Sequence, residues 1–135
     1  MIQRIQTIWL LLAATFSLLS LKFSFYSGVR ENNVFSELNG SSNFLLLIMS
    51  VAIALVALVT IFLFKNRKLQ MQLSILGFLL QVIAVVIYVL QTQKFTEGNF
   101  TLTAVLTLLI PIFFILALMG IRKDEKLIKS MDRLR

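Results

Sequence analysis

The chain has 135 residues, 59% of them hydrophobic and 14% charged, with a formal net charge of +7. Soluble domains average about 45–50% apolar and about 25% charged residues, so an ordinary water-soluble fold is excluded. The absence of Cys and His removes disulfides, thiolate metal sites, Cys nucleophiles, the usual axial haem ligand and the commonest general base.

Met1–Gln6, containing Arg4, leads into an apolar run over residues 7–25. A signal peptide can open in this way, but no small-x-small cleavage pattern follows and the run exceeds a typical h-region. A retained first transmembrane helix is expected, with Ser17, Ser20 and Ser24 on one face. Residues 26–43 are rich in Gly, Ser and Asn and read as an exposed loop, with room for a short element over Val34–Leu38. A second helix is expected over 44–64, with Ser50, Ala54 and Ala57 in a stripe, followed by a short basic link over 65–72.

The third run, 73–90, carries Ser74, Gly77, Gln81, Ala84 and Tyr88 at spacings of three and four. They share one helical face. Gln81 falls near mid-membrane, where an unpaired amide costs on the order of 2–7 kcal/mol. It is expected to bond to a Ser or Thr of a neighbouring helix, or to another chain; the alternative is contact with a lipid or quinone headgroup. The link over 91–99 leads to the fourth run, 100–121, with Thr103, Thr107 and Pro111 on one face. Pro111 lacks a backbone donor and frees the carbonyl near Thr107, so a kink is expected. The candidate packing or polar-contact residues are thus Ser74, Gly77, Gln81, Ala84, Thr107 and Pro111.

Each run is about long enough to cross the ~30 Å hydrocarbon core of a bilayer. The expected fold is all-α: one membrane domain over 1–135, a four-helix transmembrane bundle in antiparallel up-down order, since short links force neighbouring helices together. With the N-terminus in the cytoplasm, Arg4, Lys65, Arg67, Lys68, Arg122, Lys123, Lys126, Lys129, Arg133 and Arg135 lie inside, and only Lys22, Arg30 and Lys94 outside. Ten against three is a strong positive-inside bias that puts both termini in the cytoplasm. The same distribution argues against nucleic acid as a partner, because the charges flank apolar spans rather than forming a soluble basic face.

The tail, 122–135, carries six basic and three acidic residues. Leu127, Ile128, Met131 and Leu134 share one helical face, a candidate partner-docking stripe that would press on a partner or on the inner lipid surface. No span holds Asp, Glu or Arg in its central part, so a self-contained ion-coupled transporter is not expected. The functional expectation is a non-enzymatic subunit or accessory factor of a larger inner-membrane complex, touching membrane lipids and a protein partner, with no cofactor or metal. The alternative is a lipid- or quinone-binding module or small channel lined by Gln81, Ser74 and the hydroxyls of the fourth helix. Oligomeric state is not specified by these features.

The opening Met1-Ile2-Gln3-Arg4-Ile5-Gln6-Thr7 and the closing Ile121-Arg122-Lys123-Asp124-Glu125-Lys126-Leu127 with Ser130-Met131-Asp132-Arg133-Leu134-Arg135 carry a resemblance. They look like the ends of a family of small bacterial four-helix membrane proteins known as a domain of unknown function, number forty-two ninety-three. The resemblance spans the whole chain. It implies a Gram-negative-type inner membrane and four helices, and brings no activity or functional residue with it.

Overall fold

The computed structural model describes residues 3–134. Met1, Ile2 and Arg135, and the side chains of Gln3 and Arg4, lie outside the described residues, so those parts of the two terminal motifs have no structural account. In chain order the elements are α1 (Gln3–Leu19), β1 (Ser24–Arg30), β2 (Phe35–Asn39), α2 (Phe44–Phe62), α3 (Arg67–Thr92), β3 (Phe95–Phe100) and α4 (Ala104–Arg133). The helices form a ring in which α1 and α3 each pack between α2 and α4.

Steps of three and four residues determine what each helix buries. Gln6, Leu10, Ala13 and Ser17 face inward on α1, Leu46, Ser50, Ile53, Ala57 and Thr60 on α2, and Gln70, Ser74, Gly77, Gln81, Ala84 and Tyr88 on α3. This is the spacing of gently coiled helix pairs. Many of these inward residues are small or polar, whereas Leu11, Leu18, Ile48, Leu55, Leu79, Ile83, Leu108 and Ile112 are exposed. A belt of large aliphatics around such an interior inverts the soluble pattern. It suits hydrocarbon, which rewards close backbone approach rather than apolar burial. Larger side chains complete the core: Leu10, Ile53, Ile110, Phe113 and Phe114 are buried together, and Phe16 meets Phe113 edge-on at 5.1 Å.

The all-α expectation is overturned by a three-stranded antiparallel sheet of order β2-β1-β3 at one end of the bundle. Residues 26–43 are therefore not simply a loop. Asn33 takes a left-handed φ of 57°, which Asn tolerates better than most residues, and the turn closes as Asn33 N–H donates to the Arg30 carbonyl at 2.9 Å. Ser24, Phe25 and Phe100 belong to strands rather than to the first and fourth helices. Gly28 faces Gly98 across β1 and β3; a Cβ on Gly28 would sit 2.1 Å from the Glu97 carbonyl oxygen, so this crossing requires glycine. Beneath the sheet, Phe25, Leu38, Leu46, Tyr88, Phe95 and Ala104 form a second apolar core, with Phe25 stacked on Tyr88 at 4.7 Å. The Thr101 and Thr103 hydroxyls both donate to the Ser24 carbonyl, clipping the approach to α4 onto β1.

Other helix boundaries also move: α2 ends at Phe62 and α3 runs on to Thr92. Asn66 caps α3, its side chain accepting from Leu69 N–H, so the helix begins at Arg67 rather than Leu73. The fourth span and the tail are one helix of 30 residues, unbroken through Arg133.

Candidate functional site

Gln81 and Pro111 answer each other. Pro111 sits inside α4 and has no N–H to offer the Thr107 carbonyl four residues earlier. Gln81 Nε2, reaching across from α3, donates to that carbonyl at 3.0 Å. The partner is a Thr of a neighbouring helix, met at its backbone: the carbonyl that proline leaves unpaired. Ser74, Gly77, Gln81, Ala84 and Thr107 are all buried, and Pro111 is half-buried. Ser74 Oγ donates to its own helix at the Gln70 carbonyl, 2.9 Å. Gly77 is the seat of Phe114, whose ring carbon would lie 2.5 Å from an added Cβ.

At the end away from the sheet, the start of α1, the start of α3 and α4 converge on Asp124, an acid with only 7% exposure. Gln6 Nε2 donates to Asp124 Oδ2 at 2.8 Å, after its side chain crosses α4 over Gly120, where an added Cβ would meet Gln6 Cγ at 2.8 Å. Arg67 Nη1 donates to the Asp124 carbonyl at 3.5 Å, and Gln70 Nε2 donates to the Thr60 carbonyl at 3.3 Å. Sequence reasoning missed this clasp because Asp124 was grouped with a solvated tail. The signal was there: Ala117, Ile121 and Asp124 continue the inward stripe of α4 in steps of four and three.

Nearer the sheet, Ser17 Oγ donates to the Ser50 carbonyl and Ser20 Oγ to the Ser17 carbonyl, each at 2.6 Å. The buried Tyr88 hydroxyl faces the Ser20 and Ser50 side chains without meeting hydrogen-bond geometry to either. Ser24, expected on the same face as Ser17 and Ser20, belongs instead to β1. No group of three or more His, Cys, Asp or Glu able to hold a metal occurs among the described residues.

Beyond Asp124, α4 leaves the bundle. Leu127 and Ile128 are partly exposed, Met131 is 66% and Leu134 89% exposed, so the candidate docking stripe is uncovered where the inward side of α4 passes the end of the bundle. Ile128 borders a groove with Phe64, Lys65 and Asn66 of the α2–α3 connection and Arg67 at the start of α3. Glu125 pairs with Lys129 at 3.0 Å.

Three helices, α2, α3 and α4, are long and apolar enough to cross a membrane, and α1 is a shorter apolar helix of 17 residues. Together with the aliphatic belt, they define a helical membrane protein. Its sequence matches the model of a domain of unknown function, DUF4293, over residues 2–134, and the chain belongs to that family. No curated protein and no solved structure matches it.

Proposed function

We propose that the chain is a multi-pass protein of a bacterial inner membrane, with both ends in the cytoplasm, serving as a non-enzymatic subunit or accessory factor of a larger membrane complex. The observation that carries this reading is the α4 extension, a helix continuing past the bundle whose bundle-facing side there carries Leu127, Ile128, Met131 and Leu134, all exposed. Continuity with the span directs the extension away from the bilayer plane, so a protein suits the stripe better than the inner lipid surface. Within the spans, Gln81 and Ser74 are engaged by backbone carbonyls. That favours a packing role for the polar faces over a lipid- or quinone-lined site or a channel.

Topology and partnership are separately testable. A single Cys at Ser41, in a chain without Cys, should react with an impermeant thiol reagent from the periplasmic side only; reaction from the cytoplasmic side alone would reverse the threading. Purification in mild detergent with mass spectrometry should recover a stoichiometric protein partner that is lost from the Leu127→Asp, Met131→Asp variant. A lone chain carrying stoichiometric lipid or quinone would replace the subunit reading with the ligand-binding one.

A further inference from the structure

The α4 extension has a second face. Arg122, Lys126, Lys129 and Arg133 follow one another at steps of four, three and four, all exposed, on the side opposite Leu127, Ile128 and Met131. The row continues the line of Ile115 and Met119, which are exposed on the outside of the bundle. Glu125 engages Lys129; no salt bridge holds Arg122, Lys126 or Arg133 among the described residues.

We propose that this basic ridge is a docking surface for an acidic helix of a partner protein, one whose carboxylates recur at matching steps along its face. This rests on the reading of α4 as a membrane span with a cytoplasmic end. At 1.5 Å per residue the ridge rises about 16 Å along the helix axis, whereas a headgroup layer is only about 5–7 Å deep. Lipid phosphates therefore reach Arg122 and the next turn, but leave Lys129 and Arg133 in water. A linear array of cations along the membrane normal is matched by a rod of opposite charge lying beside it, and a helix supplies that with one carboxylate per turn. A second copy of this chain does not qualify. Its six acids are Glu31, Glu37, Glu97, Asp124, Glu125 and Asp132: the first three belong to the sheet end, Asp124 is buried, Glu125 is paired with Lys129, and Asp132 alone cannot match four cations. The ridge carries no aromatic side chain of the kind that stacks nucleobases.

The probe is a fluorescent synthetic helical peptide with glutamates at the spacing of the ridge, titrated against the full chain in nanodiscs of neutral lipid. A control peptide of the same composition scatters its glutamates around the helix. Because exposed ion pairs are individually weak and act here together, the matched peptide should bind about tenfold more tightly than the scattered one, and Lys126→Glu with Arg133→Glu should weaken it by about tenfold or more. Binding should also fall as salt rises. Leu127→Asp with Met131→Asp should leave peptide binding intact, which separates failure here from failure of the apolar stripe to hold a partner. Equal binding of the two peptides, or indifference to the double reversal, overturns the proposal. So does complete displacement of the peptide by phosphatidylglycerol in the discs, which would assign the ridge to lipid, or by single-stranded RNA, which would assign it to nucleic acid.

Discussion

The two ends of the bundle solve the same problem in opposite ways. At the sheet end, chain emerging from the helices is folded back, paired strand to strand and seated on Phe25, Leu38, Tyr88 and Phe95, while Val34, Phe35, Phe100 and Leu102 stay exposed at its rim. The other end is closed by polar contacts, Gln6 to Asp124 and Arg67 to the Asp124 carbonyl, and then α4 runs on with apolar and basic faces exposed. One end is closed by chain folding back on itself; the other lets a single helix run on with both of its faces exposed. Where a small membrane protein leaves such surface is where its partners are to be sought.

The comparison breaks most sharply at the sheet end. Phe25→Ala removes a buried ring stacked on Tyr88 and edge-on to Phe100, and should cost about 3–5 kcal/mol. Denaturant unfolding in mild detergent would measure it, and a Cys probe beside Gln6 should be unaffected until global unfolding.

Between the ends, Gly77→Leu drives side-chain atoms into the fully buried Phe114 ring and should cost about 1–3 kcal/mol. Unchanged stability would place this face of α3 against lipid instead. Gln81→Leu strands the Thr107 carbonyl and should cost about 1–2 kcal/mol. A double-mutant cycle sharpens the assignment: Pro111→Ala restores a backbone donor to that carbonyl, so the same Gln81→Leu change should cost less in that background. Equal costs in both backgrounds would mean that Gln81 serves something other than the proline gap.

The smallest effect belongs to the open end. Gln6→Ala takes a donor from the Asp124 carboxylate, but water lies one turn away, so the cost should be about 1 kcal/mol. It should appear as faster hydrogen exchange at the start of α1, with the sheet unchanged.

Much of the helical architecture was legible because one period governs it. The stripe Ser74, Gly77, Gln81, Ala84 and Tyr88 is buried as read, and Ser50, Ala54 and Ala57 likewise. The sheet was not legible. Apolar continuity carried the helix boundaries through Ser24, Phe25 and Phe100, while β3 pairs with a strand about seventy residues earlier, a contact that no local pattern announces. The unbroken α4 was obscured by composition. Charge rises abruptly after Ile121, yet Lys, Glu and Leu are good helix formers and nothing in the backbone asks for a stop. Gln81 was singled out for its cost in hydrocarbon, and Pro111 for its freed carbonyl; that each is the remedy for the other required knowing which helices touch.

The strand order has a consequence for assembly. On the four-span threading, β1 and β2 are adjacent in the chain and can pair once the first two helices are in place, leaving one side of β1 bare. β3 follows α3 in the sequence, so it reaches that vacant side only after the third crossing has been made. A chain halted halfway through insertion has β1 at the edge of the sheet; in a completed one β1 is central and β3 takes the edge. Pairing of β3 is thereby the last step of the sheet, and it makes the central place of β1 a mark that α3 has been laid down.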